Sequence, residues 1–138
     1  MNESTLLPSH EINKKILASF YDVYKGIIYE NKKITLSTND GVLIARVKEI
    51  VRMEGDSNYT KIFFKKGDSL FISKTLKDFE NQLMDYQFER IHKSHLINLN
   101  YVTKYYKNDG GRVLMEDGAI IAVSTRKKEK LLARLMLL

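Results

Sequence analysis

The apolar residues of the amino-terminal part follow a helical period. They recur every three or four residues with charged residues between them, which predicts an amphipathic helix over about 10–26 that ends near Gly26. The stripe consists of Ile12, Ile16, Leu17, Phe20, Tyr24 and Ile27. Such a stripe has to be covered, and three partners are open: the domain that follows, a second copy of the chain, or a domain upstream. Residues 1–8 are polar and are expected to be mobile.

Beyond Lys33 the period shortens to that of a β-strand. Runs rich in β-branched and aromatic residues are separated by turns that contain Gly, Asn or Asp. The runs cover residues 34–38, 42–47, 59–65, 69–73, 102–107, 112–115 and 119–124. Short consecutive strands joined by tight turns predict antiparallel sheets, and the lack of alternating strands and helices argues against a parallel α/β fold.

Two helices are predicted within and after these strands. Thr75 has a carboxylate three residues on, which is capping-box spacing, and opens a helix that ends near Asp85. A second helix follows Thr125 and runs to the carboxyl end. Their apolar stripes are Leu76, Phe79 and Leu83 in the first and Leu131, Leu132 and Leu135 in the second. The predicted fold is mainly β: a domain over 34–138 with a short mid-chain helix and a C-terminal helix, preceded by an arm and amphipathic helix over 1–33.

The stretch from Phe88 to Asn98 fits neither period. Its apolar residues fall on both faces of a two-residue repeat, so a bend or bulge is expected to interrupt it. The bend would push His92, Lys93 and Ser94 outward. We interpret these three side chains as a presented surface rather than as part of the core.

Charge and cysteine content narrow the classes of function. The formal net charge is +6, which favours polyanionic partners, with nucleic acid ahead of an acidic membrane surface. The chain has no cysteine, which excludes disulfides, thiolate nucleophiles and cysteine-rich zinc sites and is typical of a cytoplasmic protein. No apolar run approaches the ~20 residues of a membrane span, and no signal-peptide pattern opens the chain, so no membrane partner is expected.

Catalytic and metal-binding motifs are not found in the sequence. There is no nucleophile elbow, phosphate loop, dinucleotide fingerprint or zinc-protease motif. His92 and His95 invite a metal hypothesis, but on a strand or bend this spacing should not place both on one face, and no third ligand is close in sequence. We therefore expect no enzyme, no metal and no cofactor. A hydrolase that uses Ser94 or His92 is the least favoured hypothesis.

Basic residues open the predicted C-terminal helix. Arg126, Lys127 and Lys128 lie where the helix dipole is already positive, which costs a few tenths to ~1 kcal/mol per cation at low salt. A phosphate at this end would relieve the repulsion, so the segment is a candidate site for a nucleic-acid backbone. The alternative is that the long side chains simply extend into water.

One sequence motif resembles a known family. Residues 90–98, Arg-Ile-His-Lys-Ser-His-Leu-Ile-Asn, resemble the signature of the LytTR family of bacterial DNA-binding domains, and segments 54–59 and 124–126 resemble two further elements of it. The similarity spans roughly residues 34–135. It implies an elongated set of small antiparallel sheets, with loops rather than a recognition helix entering the major groove of duplex DNA, and a role in transcriptional control. Family members usually carry a receiver or membrane sensor upstream.

The resemblance implies DNA-contacting side chains at three places. The first place, segment 54–59, supplies Asn58, whose paired donor and acceptor suit an adenine edge. Tyr59 in the same segment is as compatible with the core as with DNA. The second supplies Lys93, which lacks the two-pronged geometry of Arg. The third supplies Arg126, with Lys127 as the alternative because one residue looks inserted before them. The full set is Ser57, Asn58, Tyr59, His92, Lys93, Ser94, Arg126, Lys127 and Lys128.

Neighbouring residues of the signature are expected to support these contacts. Arg90 and Asn98 match the family pattern and are assigned to hold the loop through bonds to backbone groups. His95 stands where the family usually has Tyr or Phe.

The expected partner is double-stranded DNA, bound by a homodimer or by paired copies on repeated half-sites. Residues 1–33 are too short for a receiver or sensor, so the chain is either a minimal regulator or a fragment whose first helix is the linker from a controlling domain. The alternative function is a protein-interaction module that recognises acidic partners with the same β scaffold. A steep salt dependence of duplex binding would distinguish DNA binding from that alternative.

Overall fold

The computed structural model describes residues 9–138, with side chains from residue 13 onward. The expected mobile segment 1–8 and the side chain of Ile12 lie outside the described part. The helices are α1 (Ser9–Asn31), α2 (Leu76–Leu83) and α3 (Lys128–Leu135). The strands are β1 (Lys33–Thr38), β2 (Gly41–Arg46), β3 (Ile50–Asp56), β4 (Tyr59–Phe64), β5 (Ser69–Ile72), β6 (Phe88–His92), β7 (His95–Asn98), β8 (Val102–Tyr106), β9 (Arg112–Met115) and β10 (Ile120–Ala122). Single turns of 3-10 helix lie at Val47–Glu49, Leu99–Tyr101 and Thr125–Lys127.

The strands form three small antiparallel sheets. β1 pairs with β2, β8 to β10 form a three-stranded sheet, and the largest sheet has the strand order β5-β4-β3-β7-β6. The predicted mainly β fold with small antiparallel sheets is therefore confirmed, and each predicted strand is present. Among the described residues, no helix combines the length and apolar content needed to cross a membrane.

Strands β3, β6 and β7 of the largest sheet carry core residues on both faces, which explains why the central stretch fits no simple strand period. Met53 and Leu96 belong to one core cluster, with α2 and the β1–β2 hairpin, whereas Ile91 and Ile97 belong to a second cluster, with the three-stranded sheet and α3. Adjacent residues such as Leu96 and Ile97 can both be apolar because each face of the sheet has its own cover. The expected bend exists as well: it is the turn between β6 and β7, with a register shift between Arg90 and His92.

The mid-chain helix starts as predicted. The Thr75 hydroxyl oxygen accepts a hydrogen bond of 3.2 Å from the Asp78 amide, which satisfies one free donor of the first turn. The predicted stripe of α2 is buried: Leu76, Phe79 and Leu83.

Two predicted helix boundaries were wrong. α1 continues past Gly26 to Asn31, because one glycine costs a helix only about 1 kcal/mol and the Tyr29 hydroxyl is held by a 2.8 Å bond from the domain. At the other end, Arg126 and Lys127 lie in a 3-10 turn, and α3 itself begins at Lys128.

Candidate nucleic-acid interface

The first site element is a two-residue turn between β3 and β4. Glu54, Gly55 and Asp56 continue β3, so that only Ser57 and Asn58 form the turn. Ser57 takes a φ of 54°, in the left-handed region that tight hairpin turns use. Both turn residues are exposed.

Tyr59 follows this turn and does not join the core. Its side chain is 53% exposed, so the inward packing considered from the sequence is wrong. Tyr59 is the first residue of β4 and directly follows Asn58, so its exposed ring lies next to the turn.

The second element is the turn between β6 and β7. Lys93 is exposed at its tip, and His92 and Ser94 are partly exposed on either side. Arg90 holds the turn as predicted: its Nε donates to the His92 carbonyl at 2.9 Å, and one terminal nitrogen donates to the Lys93 carbonyl. The other terminal nitrogen reaches the Glu80 carboxylate at 2.9 Å, so the guanidinium ties the turn to α2.

The tautomer of His92 follows from its hydrogen bond. Its Nδ1 accepts from the Ser94 amide at 3.1 Å, so in the neutral ring the proton must lie on Nε2. The turn therefore fixes the ring and leaves Nε2–H as its donor.

The third element is the segment that leads into α3. Arg126 is exposed and Lys127 partly exposed in the 3-10 turn, and the Ser124 side chain caps neither the turn nor the helix. α3 is fixed against β6: Arg134 donates to the Phe88 carbonyl at 2.9 Å and to the buried Glu89 carboxylate at 3.0 Å. Glu129 in the first turn of α3 partly offsets the unfavourable basic start.

Backbone contacts bring the three elements to one edge. The Gly55 amide, next to the β3–β4 turn, donates to the Ser94 carbonyl in the β6–β7 turn at 2.9 Å. The Ser124 amide, just before the third element, donates to the Ile91 carbonyl at the tip end of β6, also at 2.9 Å. We call this row of turns, residues 57–59, 92–94 and 124–128, the turn edge. It holds all nine residues selected from the sequence.

Lys128 differs from the other basic residues of the turn edge. Its side chain is half-buried, and a Cβ added at Gly111 would lie 3.3 Å from Lys128 Cε. Its stem therefore packs along the β8–β9 turn, which the sequence pattern marked only as a turn. The charge of Lys128 is held close to the protein surface, whereas Arg126 extends from it.

The histidine pair requires a correction. His92 and His95 are paired across the β6–β7 turn with ring centroids 5.4 Å apart, so the argument that their spacing keeps them on different faces was wrong. The strand reverses between them, which brings the two rings together. Burial is the main cause that lowers the pKa of His95, and the Glu54 carboxylate opposes it. Within residues 9–138 no group of three metal-ligating side chains is present.

Two buried polar residues have structural roles that the sequence analysis did not predict. Arg52 in β3 is buried, with bonds of 2.8 Å to Asp117 and 3.0 Å to Glu54, and so joins the large sheet to the β9–β10 turn. A charged residue within an apolar run was the available signal, but its main partner is distant in sequence. Asn98 does not hold the β6–β7 turn as expected: it bonds Ile50, Tyr29 and Asn100 instead.

The fold and the turn edge define a class: a mainly β domain that presents short turns in one row, two of which carry basic residues. The chain belongs to the LytTR family, since residues 40–136 match the LytTr DNA-binding domain. A solved LytTr DNA-binding domain of a putative methyl-accepting/DNA response regulator from Bacillus cereus superimposes with a TM-score of 0.64 at 21% identity, covering 77% of this chain and 97% of that one.

Curated relatives are similar over part of their length. The heme-containing CO-sensing transcriptional regulator RcoM 2 of Paraburkholderia xenovorans is 34% identical over 63% of this chain and 32% of its own. The sensory transduction protein LytT of Bacillus subtilis is 27% identical over 88% of this chain and 49% of its own. The chain thus spans about a third of the first of these relatives and about half of the second.

Proposed function

We propose that this protein binds double-stranded DNA in a sequence-specific way and acts in bacterial transcriptional regulation, with the turn edge facing successive major grooves. The observation that carries the proposal is the convergence of Asn58, Lys93 and Arg126, all exposed, on one edge of the largest sheet. Membership of a family of DNA-binding domains supports both the partner and the absence of an enzymatic role.

The contacts divide into base readers and backbone contacts. Arg126 reads guanine acceptors with its forked donors, and Asn58 reads an adenine edge with its amide. Lys93 reaches either a guanine or a phosphate as a point charge, with less discrimination than Arg. His92 offers its Nε2–H to an acceptor on the DNA.

The remaining side chains of the turn edge position the protein. Ser57, Ser94, Lys127 and Lys128 are of the types that bind phosphate oxygens, and such contacts fix the register without reading sequence. Tyr59 adds an exposed ring beside Asn58 that packs on a sugar or base. Because the protein uses short turns, each copy covers a short site, and two copies on repeated half-sites supply the rest of the specificity.

Regulation is expected to come from outside the domain. The relatives named above are sensory or CO-responsive regulators longer than this chain. A receiver or sensor acting upstream, and a cytoplasmic location beside the chromosome, are therefore part of the proposal.

Selection of bound duplexes from a random pool, followed by titration of the selected site, tests this function. Arg126→Ala and Asn58→Ala should each cost about 1–3 kcal/mol on the selected site and relax preference at one position. Lys127→Ala should weaken all sequences alike and lower the log–log salt slope by about one.

Lys66→Ala is the matched control. Lys66 is exposed in the β4–β5 turn, at the end of β4 opposite to the turn edge. The Lys66→Ala substitution therefore removes the same charge as Lys127→Ala without removing a proposed contact. Equal losses for Lys66, Lys127 and Arg126 on selected and random DNA would contradict the turn edge as the interface. A flat salt response with no selected sequence would favour the protein-interaction module.

A further inference from the structure

The polar face of α1 lies toward its own domain. Asp22, Lys25, Gly26 and Tyr29 line a cleft with residues 84–87 and Arg134. The carboxyl end of the helix is fixed by two contacts: Asn98 donates to the Tyr29 hydroxyl at 2.8 Å, and the Lys48 ammonium binds Glu30 at 2.8 Å. Folding of the domain therefore does not cover the apolar stripe.

The apolar side of α1 points away from the domain. Seven large apolar residues form this side, and each is between 45 and 67% exposed. These residues are Ile16, Leu17, Phe20, Tyr21, Val23, Tyr24 and Ile27. On an ideal helix their directions centre opposite to that of the residues lining the cleft. An amphipathic helix with this orientation needs a partner outside its own domain.

We propose that this stripe is the contact between two copies of the chain, paired as parallel helices. Leu17 and Tyr24 take the a positions of two heptads, and Phe20 and Ile27 take the d positions, which is the seam of a coiled coil. A large apolar side chain has roughly 200 Å² of area, so the stripe presents roughly 700 Å² per chain. Two copies would bury roughly 1,400 Å², within the range of stable interfaces.

The flanking positions favour the parallel arrangement. In that register Ile16 and Val23 lie over the partner helix's Tyr21 and Ile28, apolar against apolar on both sides of the seam. An antiparallel pairing centred on the stripe would instead place the Lys14 ammonium over Ile28 of the second copy. The parallel pair also puts both domains at the same end, because each is attached at the carboxyl end of α1.

The mass in solution tests the pairing without DNA, and so independently of the proposed function. Sedimentation equilibrium should give twice 16.1 kDa, and Leu17→Glu with Phe20→Glu should raise the dissociation constant about 100-fold or more while the unfolding curve stays cooperative. Val42→Asp is the control, since Val42 is 64% exposed on β2, another apolar surface, and should leave the dimer intact. A monomer at all concentrations, or a dimer broken by Val42→Asp alone, overturns the proposal.

A single cysteine tests the orientation. The chain has none of its own, so Leu17→Cys introduces the only thiol. Twin residues of parallel helices lie within disulfide range, and oxidation should give a cross-linked dimer. In the antiparallel pairing Leu17 faces Ile27, which puts the two thiols roughly 15 Å apart along the helix. Failure to cross-link in a protein that still sediments as a dimer would refute the parallel arrangement.

Discussion

Asn98 provides the sharpest test of what holds the domain together. Its side chain is fully buried and makes four hydrogen bonds. Nδ2 donates to the Ile50 carbonyl at 3.0 Å and to the Tyr29 hydroxyl at 2.8 Å. Oδ1 accepts from the Asn100 amide at 3.0 Å and from the Asn100 side chain at 3.2 Å. One amide group thus joins α1, β3 and the 3-10 turn after β7.

The cost of losing these bonds can be worked out from burial. Asn98→Ala removes the amide donor from the buried Ile50 carbonyl, at about 1–3 kcal/mol, whereas Asn100 is exposed and can turn to water. With the small cavity added, the loss should be about 2–4 kcal/mol. Asn98→Asp keeps the shape but sets an acceptor against the Ile50 carbonyl, so at neutral pH it should cost at least as much. Its stability should rise as the pH falls and the carboxyl group gains a donor.

Urea unfolding at 25 °C measures these losses, with Tyr29→Phe as the matched control. That variant removes one partner hydroxyl and leaves the Ile50 bond, so it should cost about 1 kcal/mol. A loss below about 1 kcal/mol for Asn98→Ala would refute the reasoning. The same would follow if Asn98→Asp lost stability monotonically as the pH was lowered from 7 to 4.

Further predictions concern three other residues. Arg90→Ala should weaken binding to the selected DNA site about tenfold, because the β6–β7 turn loses the two hydrogen bonds that Arg90 donates to its carbonyls. Arg90→Lys should bind as weakly, since Lys lacks the forked donors of Arg. Duplex titration measures both variants. Burial, with the nearby Tyr29 next in effect, raises the pKa of Tyr101 to about 12. Because the unfolded chain loses this proton at a lower pH than the folded protein, the free energy of unfolding should fall by about 2 kcal/mol between pH 10 and 12. Urea unfolding of Tyr101→Phe should not show this fall. Folded His95 resists protonation, so stability should decline as the pH drops below the ordinary value of 6.5, and His95→Phe should flatten that decline in the same assay.

Local signals explain which parts of the fold were predictable. Thr75 with Asp78 and the turn around Gly41 act within a few residues, and both features were found where expected. The end of α1 was not predictable, because the tertiary contacts of Tyr29 stabilise the last turns of the helix by more than Gly26 destabilises them. The partner of Arg52 could not be predicted either, since Asp117 meets it only when the three-stranded sheet packs against the large sheet.

The turn edge was predictable in its members but not in all its details. Residue type and the family resemblance placed Asn58 in a loop, Lys93 at a bend and Arg126 at the start of the last helix. Their adjacency depends on β7 pairing antiparallel with β3, and on the segment before α3 lying along β6, neither of which has a local signal. The side of α1 that faces the domain was left open for the same reason.

The residues that identify the family are chiefly those that build the frame. Within residues 90–98, Ile91, Leu96 and Ile97 are buried in the two cores, Arg90 bonds two carbonyls of the turn, and Asn98 ties three elements together. Only His92, Lys93 and Ser94 belong to the turn edge. His95, which follows them, stands where the family usually has Tyr or Phe. A signature of this kind therefore specifies mainly a scaffold that holds its turns in one row. DNA preference should accordingly follow positions 58, 93 and 126, and exchanging Lys93→Arg should sharpen guanine discrimination without altering stability.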